Sequence, residues 1–381
     1  MRFPEFTEEW KAEQLDNIAT LSKGIGISKE QLSEDGEPCI LYGELYTKYK
    51  SEIIKQVESK TDINGSKLKR SKANDVIIPC SGETAVDIAT ARCVPFDNIL
   101  FGGDLNVISL HQYDGAFMSY QLNGKRKYDI ARVAQGVSIV HLYGEHLKAI
   151  KTYNPTLPEQ QKIAKLLSLL DDRIDTQNKI IEDLKKLKSA IIEKLYSKIQ
   201  GKEYSYGQLF EVINERNKQM EYSNILAASQ EKGMVNRDDL NLDIQFERSN
   251  IDIYKIVRKG DYVIHLRSFQ GGFAFSNMTG VCSPAYTILR PSTLLEYGYL
   301  SYYFKSYGFI KSLIIVTYGI RDGRSISVEE WLNLKISIPS KEHQLHILKV
   351  LRSFDLKIEN EETYASCLSN QKQYLLRQMF I

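Results

Sequence analysis

The feature that most constrains this chain is a heptad pattern of apolar residues that occurs twice, 184 residues apart. In residues 163–195 the apolar positions follow alternating steps of four and three residues, interrupted by Gln177 and Lys188. In residues 347–379 the same spacing returns, with polar residues at the two corresponding positions. An apolar period of about 3.5 residues is typical of helices that pack along one another. The chain is therefore predicted to contain two long helices that carry the same apolar seam.

The seam consists of the apolar heptad positions that we expect to be buried between the two helices. These are Ile163, Leu167, Leu170, Ile174, Ile181, Leu184, Ile347, Leu351, Phe354, Ile358, Leu368 and Leu375. Residues with no role in the heptad also recur at the same offset, among them Pro155, Gln160 and Asp171. Unrelated amphipathic helices would share apolar positions by chance, but hardly a proline, a glutamine and an aspartate in register. The pattern therefore indicates an internal duplication.

The segments that precede the helices share shorter motifs. Residues 74–78 correspond to residues 260–264, and residues 117–120 correspond to residues 299–302. The order of these motifs is kept while the intervals between them differ. Apolar runs at 76–78, 99–101, 107–110, 262–266 and 285–289 predict strands, and residues 8–21 and 141–150 are predicted to be helical. The sequence thus predicts two versions of one mixed α/β module, each followed by a long helix.

Composition excludes several broad classes of protein. Hydrophobic content of 43% and charged content of 26% are ordinary for a globular protein. No apolar run reaches the ~18 residues of a membrane helix, and the N-terminus lacks a signal-peptide pattern, so we expect no membrane association. Five scattered cysteines without a Cys-x-x-Cys pair favour a reducing cytoplasm over a disulfide or zinc framework.

Motifs for catalysis are incomplete in this sequence. No phosphate-binding loop occurs, and the Gly24-Ile25-Gly26 turn has Lys29 where a dinucleotide fingerprint needs its third glycine. His343 and His346 lie one helical turn apart, but the first helix has no matching pair, so we expect them on solvated surface. We therefore predict no catalytic residue, no metal site and no cofactor bound by this chain.

The duplicated layout resembles the DNA specificity subunits of type I restriction–modification enzymes. In that family a long helix opens with a stretch of the type Pro-x-x-x-Glu-Gln-x-x-Ile, which stands here at residues 155–163. The second copy, residues 339–347, has His343 in place of the glutamate. Residues 9–18 and the Gly-x-Pro element at residues 36–38 also resemble the family's domain entry.

The resemblance implies an α+β fold with two similar mixed α/β target recognition domains. The two long helices would form an antiparallel coiled coil that separates the domains and creates a pseudo-twofold axis, which suits oppositely oriented DNA half-sites. The predicted boundaries are 1–153 for the first recognition domain, 154–200 for the first spacer helix, 201–337 for the second recognition domain and 338–381 for the second spacer helix.

The resemblance also implies function and partners. The chain would bind double-stranded DNA in a bipartite, sequence-specific manner and dock methyltransferase subunits and motor nuclease subunits. S-adenosylmethionine and ATP are implied for those partner subunits. Two alternatives stay open: a stand-alone DNA methyltransferase or nuclease, and a coiled-coil scaffold with no DNA role.

Basic and polar residues near turns are the predicted DNA contacts, although a basic cluster is often only a solvated turn. In the first module they are Lys67, Lys69, Arg70, Lys125, Arg126 and Lys127. In the second module they are Arg216, Lys218, Arg267, Gln270, Arg321 and Arg324. Net charge is only +2, so the prediction depends on local clusters.

Overall fold

The structure, a computed structural model, describes residues 2–229, 232–240, 248–265, 272–318 and 325–381. The chain divides into two compact units. The first unit is Met1–Lys179 with Glu362–Ile381, and the second is Ile180–Glu361. Both divisions fall inside the long helices, so each unit contains one mixed domain and one half of each long helix.

A four-stranded antiparallel sheet forms the centre of the first unit. Its strand order is Ala19–Lys23, Leu105–Leu110, Asp75–Pro79, Arg92–Val94. Successive side chains of a strand point to opposite faces of the sheet. Val76 and Ile78 therefore pack in one hydrophobic cluster while Ile77 packs in another. Both faces of the sheet are covered, which explains the continuous apolar run in the sequence.

The remaining elements of the first unit surround this sheet. The other strands are Lys11–Gln14, Glu37–Ile40, Lys60–Thr61, Lys69–Arg70, Ser81–Gly82, Leu100–Phe101, Val140–His141 and Lys151–Asn154. The α-helices before the long helix are Leu15–Ile18, Glu44–Thr47, Ala85–Ile88, Gly115–Asn123, Lys127–Val133 and Gly144–Lys148, with 3₁₀ turns at Lys29–Gln31 and Gly65–Lys67. Gly36 precedes a strand at φ +115°, and a Cβ there would lie 2.2 Å from the Thr61 carbonyl oxygen. The glycine of the Gly-x-Pro element is therefore required by backbone conformation and by space.

The prediction of a helix over residues 8–21 is wrong. The segment consists of a strand, Lys11–Gln14, one helical turn, Leu15–Ile18, and a second strand, Ala19–Lys23. The two strands pair with Lys151–Asn154 and Leu105–Leu110. Backbone hydrogen bonds to strands roughly ninety or more residues away outweigh the local helical pattern. Likewise, residues 141–150 contain only the short helix Gly144–Lys148 after the strand Val140–His141.

The second unit repeats the central sheet. Its strand order is Phe210–Ile213, Thr287–Pro291, Tyr262–Ile264, Phe273–Phe275, again antiparallel throughout. The other described strands are Lys202–Ser205, Leu226–Ser229, Gly233–Asn236, Lys255–Val257, Gly280–Cys282, Thr317–Tyr318, Ser325–Ile326 and Lys335–Ile338. The short helices are Tyr206–Leu209, Tyr299–Tyr303, Tyr307–Ser312 and Val328–Asn333, with 3₁₀ turns at Arg237–Asp239, Arg248–Ile253 and Leu313–Val316.

The two long helices are Leu157–Ser197 and Lys341–Gln378. At 1.5 Å per residue, the 41 residues of the first extend for about 60 Å. The seam residues are all buried or half-buried, whereas seam neighbours such as Lys165 are exposed. Within each unit the two half-helices run antiparallel. In the first unit the beginning of the first helix (Ile163) packs in one cluster with the end of the second (Met379), and in the second unit Ile192 packs with Ile347.

No helix in the described part of the chain is long and apolar enough to cross a membrane.

Candidate nucleic-acid interface

The first predicted basic cluster lies on an exposed turn of the first unit. Lys67 ends the 3₁₀ turn Gly65–Lys67, which Asn64 caps by accepting a hydrogen bond from the Ser66 backbone N–H at 3.0 Å. Arg70 differs from its neighbours because it donates two hydrogen bonds to the Glu37 carboxylate, at 2.6 and 3.0 Å. These hydrogen bonds raise the pKa of Arg70 and occupy its guanidinium. In the described part of the chain Lys67 and the half-buried Lys69 have no such partner, so they are the cluster's available cations.

The second predicted cluster, residues 125–127, lies between helices Gly115–Asn123 and Lys127–Val133. Arg126 is turned into the protein. It contacts the Asp129 carboxylate at 3.1 Å, donates to the Ile381 backbone oxygen at 3.2 Å and lies over the Tyr153 ring. Lys125 is exposed and Lys127 is half-buried, so the cluster offers two cations to a ligand.

The predicted contacts of the second unit divide into described and undescribed residues. Arg216 and Lys218 are exposed on the loop after strand Phe210–Ile213. Asn217 between them is buried and brackets the backbone of Tyr222, donating to its oxygen at 2.8 Å and accepting from its N–H at 3.2 Å. Arg267, Gln270, Arg321 and Arg324 lie outside the described residues.

Sequence reasoning missed Asn217, whose only signal was an amide residue between two basic ones. By holding the loop backbone, Asn217 fixes the position of the two exposed cations beside it.

Each long helix is fastened to its own domain by a buried glutamine. Gln160 donates to the Pro155 oxygen at 2.8 Å and accepts from the Asp114 N–H at 2.9 Å. Gln344 donates to the Pro339 oxygen at 3.1 Å and accepts from the Glu296 N–H at 2.8 Å. The repeated glutamine therefore sets the angle at which each helix leaves its domain. Its recurrence in the sequence was the signal for this role.

A buried cluster of tyrosine, aspartate and lysine joins both half-helices to the domain in the first unit. The Tyr120 hydroxyl donates to Asp171 at 2.6 Å, and the Lys372 ammonium contacts the other oxygen of the same carboxylate at 2.6 Å. Lys372 also contacts Glu52 at 2.5 Å and lies 5.8 Å from the centre of the Tyr120 ring. Burial opposes the charged form of Lys372, but the charges of Glu52 and Asp171 outweigh burial and raise its pKa.

The second unit contains the same cluster. The Tyr302 hydroxyl donates to Asp355 at 2.5 Å, Lys188 pairs with that carboxylate, and its ammonium lies 5.1 Å from the centre of the Tyr302 ring. Burial, followed by the bond to Asp355, raises the pKa of Tyr302. One helix supplies the aspartate and the other supplies the lysine, so each cluster fixes the register of the helix pair.

The histidines that could share a metal, His343 and His346, are both exposed. No group of metal-ligating side chains with suitable geometry occurs among the residues that the structure describes.

Comparison with known proteins places these features in context. Residues 7–186 match the family model described as type I restriction modification DNA specificity domain. The chain is 27% identical over 200 residues to the type I restriction enzyme MjaVIII specificity subunit of Methanocaldococcus jannaschii, a match that covers 50% of this chain and 43% of that protein. The chain thus spans about half the length of this curated relative.

Two solved structures have a similar fold along the whole chain. The type I restriction-modification S subunit from M. genitalium superposes with a TM-score of 0.56 at 17% identity, covering 100% of this chain and 97% of that one. A chain from a structure described as the structural basis underlying complex assembly and conformational transition of the type I R-M system gives 0.63 at 14% identity, covering 98% and 97%. These likenesses confirm the predicted fold class of two similar mixed domains and two long helices.

Proposed function

We propose that this chain, whose residues 7–186 match the type I restriction modification DNA specificity domain, recognises a bipartite DNA sequence for partner subunits. Each domain would bind one half-site, mainly through the major groove, where base edges are distinguishable. Methyltransferase subunits and motor nuclease subunits would dock on the chain. S-adenosylmethionine and ATP would be bound by those subunits, and this chain would carry no catalysis of its own.

The repeated architecture is the observation that carries this proposal. Both units have the same order of strands in the central sheet, the same glutamine at the helix start and the same tyrosine–aspartate–lysine cluster. The loops between these shared features differ in length and in basic residues. A constant frame with variable loops is suited to two recognition domains with different half-sites.

Domain exchange tests the proposal directly. Residues 1–153 should be replaced by the corresponding domain of a related subunit, keeping a tyrosine at position 120 and the turn whose backbone N–H at position 114 donates to Gln160, so that the helix contacts survive. Methylome sequencing of cells that carry the variant with its methyltransferase partner should show one half of the target changed and the other half retained.

A matched control replaces the second domain, residues 201–337, and should change the opposite half. The proposal fails if either exchange alters both halves of the target. It also fails if the purified chain does not bind duplex DNA in a salt-dependent gel-shift assay.

A further inference from the structure

A basic cleft lies in the first unit, where the turn between helices Gly115–Asn123 and Lys127–Val133 meets the last turns of the second long helix. Its volume is about 560 Å³, which exceeds the size of a phosphate ester. The basic side chains that line it are Arg92, Lys125, Lys127 and Arg377. Glu52 also lines the cleft, but its carboxylate is already paired with Lys372. The cleft therefore has an excess of positive charge.

Arg92 is a fixed part of this cleft. The residue is 8% exposed, and its guanidinium donates to the backbone oxygen of Tyr49 at 2.8 Å and to the backbone oxygen of Ala91 at 3.0 Å. The Asn123 amide holds Ala91 from both sides, accepting from its N–H and donating to its oxygen, each at 2.8 Å. Burial lowers the pKa of the Arg92 guanidinium, although the nearby charges of Glu52 and Asp171 act to raise it. A buried cation of this kind is stabilised when an anion approaches it.

Gly124 allows the basic turn to touch the long helix. A Cβ at this position would lie 3.1 Å from the backbone oxygen of Tyr120 and 3.2 Å from the backbone oxygen of Leu376, closer than side chains ordinarily pack. The glycine thus brings Lys125 and Lys127 to the same cleft as Arg377.

At one corresponding position the second unit has the opposite charge. The residue 184 positions before Arg377 is Glu193. Its carboxylate accepts hydrogen bonds from the backbone N–H of Tyr307 at 2.5 Å and of Gly308 at 3.3 Å, at the start of the short helix that follows the repeated tyrosine motif. The second unit therefore supplies its own anion at this junction.

Strand register identifies the counterpart of the buried arginine. Arg92 lies opposite Ile77 on the neighbouring strand, and in the second unit Ala274 lies opposite Val263 on the neighbouring strand. Val263 corresponds to Ile77 in the repeated motif. The second unit therefore has an alanine where the first has a buried cation. Arginines line the first cleft, whereas the second unit has an internal carboxylate.

From this reversal we infer that the cleft of the first unit binds a phosphate group. Arg92 and Arg377 would hold its oxygens, because the guanidinium presents paired N–H donors that match phosphate geometry. Lys125 and Lys127 would neutralise it from the rim. The phosphate has two possible sources, the DNA backbone and a free nucleotide. Only the DNA source rests on the proposed function.

Calorimetric titration of the full chain with pyrophosphate tests the site itself. Arg377→Glu copies the charge of the second unit and should weaken pyrophosphate binding at least tenfold. Arg132→Glu makes the same charge change on an exposed side chain of the same domain outside the cleft, and it should weaken binding less than twofold. The inference is overturned if the unaltered chain does not bind pyrophosphate or if both variants lose affinity equally.

Gel shifts with a random duplex then identify the source of the phosphate. If Arg377→Glu also weakens duplex binding and lowers the log–log salt slope by about one, the DNA backbone supplies the group. If duplex binding is unchanged while pyrophosphate binding is lost, the site is one for a free nucleotide. A chain that binds pyrophosphate but no duplex would refute the proposed function and support the phosphate site.

Discussion

Lys188 and Lys372 occupy equivalent positions in the repeat but differ in burial, so replacing each with methionine gives two matched perturbations. The Lys372 side chain is 13% exposed and its partners Asp171 and Glu52 are 4% and 9% exposed. The Lys188 side chain is 20% exposed, but its partner Asp355 is 47% exposed. Removing one partner of a buried ion pair costs about 3–5 kcal/mol, because the remaining charge stays buried without compensation. A pair that water screens contributes only about 0.2–1 kcal/mol.

We therefore expect Lys372→Met to lower the free energy of unfolding of the first unit by about 3 kcal/mol, and Lys188→Met to lower that of the second unit by about 1 kcal/mol. A single melting curve would not separate two units that unfold independently. Hydrogen–deuterium exchange of peptides from residues 157–179 and 180–197 reports each unit by itself. At about 1.4 kcal/mol per factor of ten, protection should fall roughly 100-fold in the first case and about fivefold in the second. Equal losses, or a larger loss in Lys188→Met, would refute the argument that burial sets the cost.

Three further predictions concern the seam, the basic turn and alkaline pH. Ile174→Asp buries a charge on the seam and should lower the temperature at which peptides from residues 157–179 lose their protection from hydrogen exchange by roughly 6 °C or more, at about 2–4 °C per kcal/mol, whereas Lys165→Asp on the exposed face should change it little; a fully stable Ile174→Asp variant would mean that the seam is not packed. Joint replacement of Lys67 and Lys69 by glutamine should weaken random-duplex binding and reduce the salt slope by about two, and an unchanged slope would remove both from the DNA interface. Because the pKa of Tyr302 is raised in the folded chain, the unfolded chain loses the hydroxyl proton at a lower pH, so the stabilisation by the Tyr302 hydroxyl is present below about pH 10 and declines above it. Tyr302→Phe should make that decline in stability shallower in urea titrations at several pH values, and an unaltered pH dependence would contradict the prediction.

The long helices were predictable because their burial follows a local period. Seam residues such as Ile163 and Leu351 recur at the spacing that places them on one helical face, and no distant residue is needed to recognise this pattern. The run at residues 76–78 predicted a strand for a similar reason. Both faces of that strand are covered, so an unbroken apolar sequence is what the structure requires.

The roles of individual basic residues were not predictable, because their partners are remote in sequence. Arg70 and Lys69 are neighbours in one cluster, but the Glu37 carboxylate, 33 residues before Arg70, binds Arg70 and not Lys69. Arg126 contacts the backbone of Ile381, 255 residues away. A local cluster indicates positive charge, whereas tertiary structure decides which of its charges remain available to a ligand.

The same remoteness explains why aspartate and lysine recur together at the fixed offset. Asp171 and Lys188 lie 17 residues apart on one helix, about 26 Å at 1.5 Å per residue, so they cannot form a pair. Each instead contacts the partner supplied by the other copy, because the half-helices run antiparallel within each unit: Asp171 contacts Lys372, and Lys188 contacts Asp355. A double-mutant cycle on Asp171 and Lys372 should give a coupling energy within the 0.5–3 kcal/mol typical of contacting residues. The control cycle on Asp171 and Lys188 should be additive within about 0.3–0.5 kcal/mol. Strong coupling in the control cycle would show that the recurrence reflects an interaction along one helix instead of one between the two copies.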